Sequence, residues 1–328
     1  MGAQSSALAE VKMHILNFFY VCLNLSPILL PATGYSMWRK GGIRLAICVA
    51  AVVALDILLP LRKQGPWLWW CKSTLAAVGK LSYHRGTVIV ETEFDRQKNY
   101  MLVYHPHGLW GYGFDLIFEA IYKKTGITIV SAGADAVFYV PLLRRVMAWW
   151  GLTSVSRKAL LKNIALPYPR NMLGLAPGGI AEMFYGLKQE QLVLARRKGF
   201  CKIALESGCS LVPYYVFGAN QLYTRYWGAG SFAARFSKRI SMSIVFWTDR
   251  FCIPFGFVPH CTKLVCVAGP AIDVEKVVEP TPEQVDALHT KYIAALRTLF
   301  DEHKSKMGDN WDRNRLYLED EDARLKSS

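Results

Sequence analysis

Tyr100-Met101-Leu102-Val103-Tyr104-His105-Pro106-His107-Gly108 is the stretch on which the reading of this chain turns. Its apolar run, Met101 to Tyr104, predicts a strand buried in a sheet. The strand opens into a glycine-rich turn, Gly108-Leu109-Trp110-Gly111-Tyr112-Gly113. Two imidazoles are therefore delivered to the mouth of a loop. Neutral imidazole is the side chain best suited to take a proton near neutral pH. Pro106 fixes its own φ and biases His105 toward an extended backbone. The glycines allow a ligand to come close to the main chain.

Outward from this stretch, strand-like and helix-like segments alternate. Thr87 to Glu93 and Tyr100 to Tyr104 read as strands, Phe114 to Lys124 as a helix and Ile127 to Val130 as a short strand. Pro141 to Trp150 reads as a helix. Met172 to Leu175 reads as a buried strand before the turn Pro177-Gly178-Gly179. Leu192 to Gly208 is predicted helical, and Leu211 to Phe217 and Leu264 to Ala268 are predicted strands. Pro282 to Lys306 is predicted as a long helix with Val285, Leu288, Tyr292, Ala295, Leu296 and Leu299 on its apolar face. This alternation argues for one α/β domain built on a mostly parallel sheet with flanking helices, over about residues 64–308. A charged tail, 309–328, is expected to be loosely held.

Two apolar stretches precede the domain, Met13 to Leu30 and Ile43 to Leu59. They predict a membrane-embedded helical hairpin over residues 13–63, after a short tail, 1–12. Seventeen helical residues reach about 26 Å, slightly less than the ~30 Å of a hydrocarbon core. Arg39, Lys40 and Arg44 lie at the connecting loop, whereas Lys12, Arg62, Lys63, Lys72 and Lys80 flank the outside. That bias puts both termini in the cytosol. Trp67, Trp69 and Trp70 follow the second stretch, where an interfacial aromatic belt is expected. Met1-Gly2-Ala3-Gln4-Ser5-Ser6 fits the N-myristoylation pattern.

The formal charge of +14 suits an anionic membrane surface or a phosphorylated substrate. No RNA- or DNA-binding signature is present, so nucleic acid is excluded as the expected partner. Eight scattered cysteines without CxxC spacing suggest mostly buried, reduced thiols and offer no zinc ligand set.

Two further elements bear on chemistry. In Ala176-Pro177-Gly178-Gly179-Ile180-Ala181-Glu182, a strand runs into Gly-Gly and a helix begins. Free N–H groups at such a turn can receive developing negative charge. Glu182 on the first helical turn either faces the histidine cleft or simply complements the helix dipole. The block Arg196-Arg197-Lys198-Gly199-Phe200-Cys201-Lys202 is either a solvated helix face or a holder of phosphates. Ser156-Arg157-Lys158 and Arg170 are further phosphate candidates.

With these motifs in view, the chain resembles the type-2 diacylglycerol acyltransferase family, which also includes monoacylglycerol and wax-ester acyltransferases. The likeness rests on His105-Pro106-His107-Gly108 with Gly111 and Gly113, Val155-Ser156-Arg157 and Gly178-Gly179-Ile180-Ala181-Glu182. It continues through Arg197-Lys198-Gly199-Phe200-Cys201-Lys202-Ile203-Ala204, Leu211-Val212-Pro213, Phe217-Gly218, Gly256-Phe257-Val258-Pro259 and Gly269-Pro270-Ala271-Ile272. His289-Thr290-Lys291-Tyr292 and Leu299-Phe300-Asp301-Glu302-His303-Lys304 close it. Relatives often carry an acidic or amide residue after the Phe-Gly pair, where this chain has Ala219.

The resemblance implies an acyltransferase-like fold and transfer of a fatty acyl group from acyl-CoA to a lipid hydroxyl. Diacylglycerol is the first choice of acceptor; monoacylglycerol, a fatty alcohol and a sterol are the alternatives. It implies a catalytic set of His107 as general base, His105 in support and Glu182 orienting His107. Gly108, Gly178 and Gly179 would form the oxyanion turn, and Arg157, Arg197, Lys198 and Lys202 would hold acyl-CoA. No metal or resident cofactor is implied; acyl-CoA is a co-substrate. Membrane lipids are the expected partners, a homo-oligomer stays open, and the expected site is the endoplasmic reticulum membrane with the domain facing the cytosol, or a lipid droplet. A competing reading is a membrane-anchored lipid-binding protein on an inactive acyltransferase fold.

Overall fold

The structure is a computed structural model that describes residues 35, 39, 42–61, 66–71, 86–109, 111–187, 189–240, 244–256 and 258–319. In chain order its elements are α1 (Ile43–Leu58), β1 (Gly86–Val90), β2 (Tyr100–His105), α2 (Tyr112–Thr125), β3 (Ile129–Gly133), α3 (Leu143–Trp149), β4 (Leu152–Ser154) and α4 (Arg157–Ile164). They continue as β5 (Met172–Leu175), α5 (Gly179–Glu182), β6 (Gln191–Leu192), α6 (Gly199–Ser207), β7 (Ser210–Phe217), β8 (Thr224–Arg225) and α7 (Phe232–Ile240). The last are β9 (Trp247–Thr248), β10 (Leu264–Ala268), α8 (Pro282–His303) and β11 (Tyr317–Leu318).

Seven strands form one sheet in the order β1-β10-β7-β2-β5-β3-β4. Every neighbouring pair is parallel except β10 with β7, so the sheet is mostly parallel. Strand β2 sits at its centre and is buried along its whole length. A continuous apolar run is what a strand covered on both faces requires. Tyr100, Leu102 and Tyr104 pack on one face with Ile117, Phe118 and Ile121 of α2. Met101 and Val103 pack on the other with α6 and α8. The alternation of side chains therefore sends His105 to the α6/α8 face.

Local signals place α8 firmly. Thr281 caps it by accepting from Gln284 N, Gln284 returns the bond to the Thr281 N–H, and Pro282 opens the first turn. Such a capping box contributes about 1 kcal/mol. Tyr292, Leu296, Leu299 and Phe300 recur on its buried face. The helix ends at His303 and a 3₁₀ turn, Lys304–Met307, takes over the last residues of the predicted span.

Three expectations are corrected. Leu192 to Gly208 is not one helix. Leu192 pairs in β6 with β11, Val193 and Leu194 run on buried, and helix starts only at Gly199. The segment reads as helical because its apolar and basic residues also suit helical spacing; pairing with a strand more than a hundred residues away overrides that. The tail is not loose from 309. Trp311, Leu316 and Leu318 are buried, and the Glu319 carboxylate accepts from Leu194 N at 2.7 Å and Ala195 N at 3.1 Å.

The third correction concerns the hairpin. The first apolar stretch and the N-terminal acylation pattern lie outside the described residues. The second is α1, whose 16 residues span about 24 Å. No helix among the described residues is long and apolar enough to cross a membrane. Helix α1 leaves Ile47, Val52, Leu55, Ile57 and Leu58 exposed. Its one acid, Asp56, is buried instead of facing lipid. Its carboxylate accepts from Arg145 Nε at 2.6 Å and Leu142 N at 3.0 Å, which ties the end of α1 to the α3 region. Trp67 and Trp70 pack on Trp149, with ring centroids 5.5 and 4.9 Å away, and Trp69 is exposed.

Ending the chain at residue 308 removes three buried apolar side chains and the Glu319 bonds, several kcal/mol together. Thermal unfolding in detergent should then fall by about 10 °C; an unchanged midpoint would show that the tail adds nothing to the core.

Candidate active site

Strands β2 and β5 are parallel neighbours, paired from Tyr100 with Met172 to Val103 with Leu175. Their carboxyl ends therefore emerge side by side, the place where open α/β sheets present their ligands. From β2 the chain runs through His105, a cis peptide bond to Pro106, His107 and Gly108 at φ 61°. From β5 it runs through Ala176-Pro177-Gly178-Gly179 into α5, whose last residue is Glu182. The two motifs that lie 75 residues apart in sequence meet here.

Glu182 is 1% exposed. One carboxylate oxygen accepts the backbone N–H of His107 at 2.7 Å; the other accepts that of Val193 at 3.1 Å. Such charge-assisted bonds are short and about twice as strong as neutral ones. A side chain at position 178 would overlap this carboxylate, so the glycine there is a steric requirement. Glu182 thus holds the main chain of the histidine turn, not the His107 ring. That is the correction to the expected pairing. The imidazole it does approach is His105, with Nδ1 3.7 Å from Oε1 and both side chains fully buried.

The His107 ring, half-buried at the strand end, is set by its own turn. Its Nδ1 lies 2.8 Å from the Gly108 carbonyl oxygen. A carbonyl only accepts, so Nδ1 carries a proton, and in the neutral ring Nε2 keeps the lone pair. This is the tautomer a general base needs. His105 is fixed differently: Nε2 lies 3.1 Å from the Tyr292 hydroxyl, which also reaches the Val103 carbonyl at 3.3 Å. Burial pushes the Tyr292 phenol well above its ordinary value, so it stays neutral.

Among the expected oxyanion donors, Gly179 is already used: its N–H donates to Ala176 O at 3.1 Å and closes the turn. No hydrogen bond from the N–H of Gly108 or Gly178 is present among the described residues. The expected acyl-CoA contacts are spread along α6 instead of gathered. Lys198 pairs with Asp286 at 2.7 Å at its start, and Arg157 pairs with Glu206 at 2.8 Å near its end. Those two points are about 12 Å apart along the helix. Arg197 is exposed just before the first point and Lys202 is exposed between the two.

Two supports were not legible as site residues in the sequence. Tyr292 is one; its spacing gives a core position, and only the hydroxyl hints at more. The other is a buried network under the segment that follows α5. The Arg225 guanidinium donates to the carbonyls of Met183 at 2.8 Å and Tyr185 at 3.0 Å. Glu190 accepts from Tyr215 Oη at 2.6 Å and from Asn220 Nδ2 at 3.2 Å. Burial raises the Glu190 carboxyl, against the pull of Tyr215, Asn220 and Arg225, and burial brings Arg225 down to about 10. Burial also pushes the thiols of Cys201, Cys209 and Cys266 up to about 12, so at neutral pH they are poor nucleophiles.

A mostly parallel α/β domain with a poised histidine at the carboxyl edge of its central strands matches one family throughout. The family model described as "Diacylglycerol acyltransferase" matches residues 43–317. The Diacylglycerol O-acyltransferase 2 of Dictyostelium discoideum is 32% identical over 238 residues, 68% of this chain and 71% of that protein. The Acyl-CoA wax alcohol acyltransferase 2 of Mus musculus is 35% identical over 224 residues, 64% of this chain and 67% of that protein. The human 2-acylglycerol O-acyltransferase 3 is 31% identical over 242 residues, 69% and 70% respectively. The chain is an acyltransferase. More particularly, it belongs to the diacylglycerol acyltransferase family.

Glu182→Gln puts an amide NH₂ against a backbone N–H and leaves His107 N or Val193 N unpaired, at about 1–3 kcal/mol. Turnover should fall at least ~10-fold with the KM for acyl-CoA within about twofold; a defect confined to KM would assign Glu182 to substrate contact instead. Arg225→Met should cost about 2–4 kcal/mol, because the two buried carbonyls of Met183 and Tyr185 lose their charged donor. Denaturant unfolding measures it, and a loss under about 1 kcal/mol would contradict the network.

Proposed function

We propose that this chain transfers a fatty acyl group from acyl-CoA to the free hydroxyl of diacylglycerol, giving triacylglycerol and coenzyme A. The observation that carries this reading is the His107 tautomer: Nδ1–H is held by the Gly108 carbonyl, which leaves Nε2 basic at the carboxyl edge of the central strands. The acceptor hydroxyl loses its proton to Nε2 as its oxygen attacks the thioester carbonyl carbon. The resulting oxyanion is stabilised by the N–H groups of Gly108 and Gly178. As the C–S bond breaks, the imidazolium returns the proton to the departing thiolate. His105, with Tyr292 and Glu182 around it, braces the strand end and does not meet substrate.

Acyl transfer runs in one ternary complex. The high thiol values of Cys201, Cys209 and Cys266 speak against those cysteines as covalent carriers. The phosphates of coenzyme A are held by Arg197 just before α6 and Lys202 on it, joined by Lys198, whose exposed pair with Asp286 is worth little in water, and by the exposed Arg157 guanidinium. Diacylglycerol is preferred over other acceptors because of the family model and the first of the relatives above. A fatty alcohol is the second reading, on the strength of the wax alcohol relative. The enzyme works at the endoplasmic reticulum membrane with its domain on the cytosolic side, or on a lipid droplet. The exposed apolar side of α1 supports membrane attachment.

His107→Ala should lower turnover by about 10²–10⁴-fold with labelled acyl-CoA and diacylglycerol, and leave thermal unfolding unchanged. Near-normal turnover in the purified variant would remove His107 as the base. Separating the lipid products of the wild type tests the acceptor: triacylglycerol should dominate, and wax ester as the major product would favour the second reading.

A further inference from the structure

Helix α7 carries a surface that neither the catalytic site nor the N-terminal segments account for. Its sequence is Phe-Ala-Ala-Arg-Phe-Ser-Lys-Arg-Ile, from 232 to 240. Ser231 caps it, its hydroxyl accepting from Ala234 N at 3.2 Å. Small residues seat the helix on the domain: Ala233 is 9% exposed and Ser237 1%. The Ser237 hydroxyl accepts from Ile244 N at 2.8 Å and pins the chain that follows. The helix packs against α5, the element that ends in Glu182.

The opposite face is apolar and cationic at once. Phe232 and Phe236 lie one turn apart, with parallel rings 5.9 Å between centroids, and are 73% and 41% exposed. Arg235, Lys238 and Arg239 are exposed beside them, and none meets a carboxylate among the described residues. The helix has no acidic residue. Two outward phenylalanines are unfavourable in water. Their pairing with cations alone matches an apolar layer topped by negative charge, which is an anionic phospholipid surface. Trp227, exposed a few residues before the helix, is the kind of side chain that settles at headgroup depth. Nine residues span about 13 Å, far too few to cross, so the helix lies in the plane of the interface.

We propose that α7 is an interfacial helix that docks this face of the domain on anionic phospholipid, separately from the N-terminal segments, and sets α5 next to the bilayer. The proposal does not depend on the acyl-transfer reading. Hydrogen exchange tests it on the full-length protein in detergent, and in vesicles of phosphatidylcholine with and without phosphatidylserine. Amides 232–240 should exchange about 10-fold more slowly in the phosphatidylserine vesicles than in detergent. Phe232→Ser/Phe236→Ser should lose that protection and Phe232→Leu/Phe236→Leu should keep it, with amides of β2 unchanged in both. Equal exchange with and without anionic lipid overturns the proposal. So does protection that survives the serine pair, or protection that grows with protein concentration in the absence of lipid and thus marks a second copy as the occupant.

Discussion

The site rests on one carboxylate. Glu182 accepts two backbone N–H groups, His107 from the turn after β2 and Val193 from the segment leading to α6. Both are buried donors that would otherwise go unpaired, and an unpaired buried N–H is expensive. Because the bond goes to the main chain of His107, it fixes where the turn sits and leaves the ring to be aimed by the Gly108 carbonyl. The two jobs that a hydrolase triad gives to one acid, placing the histidine and choosing its tautomer, are divided here between a carboxylate and a carbonyl. His105 occupies the space on the other side of the carboxylate, and Tyr292 reaches it from α8. In that arrangement helix α8 takes part in holding the histidine turn.

The same segment after Glu182 is gripped again from below. Arg225 holds the carbonyls of Met183 and Tyr185, while Glu319 from the end of the chain holds Leu194 and Ala195. Elements from three parts of the sequence, at His107, Arg225 and Glu319, thus converge on residues 182–195. This stiffness suits a reaction in which a base and an oxyanion turn must keep their spacing while two large substrates enter. The surface around it is less uniform. Asp56 ties α1 to the α3 region, and α7 sits against α5, so apolar exposed residues approach the domain through two separate helices.

What the sequence made legible follows from burial. Strands β2, β5, β7 and β10 read correctly because strands covered on both faces carry near-continuous apolar runs, and theirs do. Three residues of the site, His105, His107 and Glu182, were readable from the turns that carry them, and the parallel pairing of β2 with β5 brings them together. Which atom Glu182 holds was not readable, because a ring N–H and a main-chain N–H of the same residue leave no different mark on residue spacing. Leu192 to Leu194 misled for a related reason: their partner, β11, lies in a tail whose charge suggested solvent. The acid Asp56 stands inside an apolar stretch, and its partner Arg145 appears only once α3 is placed. In each case the missing information was a long-range contact, not a local preference.

The central claim is that Nε2 of His107 is the base and that His105 is not. Replacing each histidine in turn with glycine and adding free imidazole tests it most directly. Imidazole should restore turnover to His107→Gly in a saturable manner, because the half-buried turn leaves room for a base at the substrate. It should not restore His105→Gly, whose ring is 0% exposed. Rescue of His105→Gly, with none at position 107, would contradict the account.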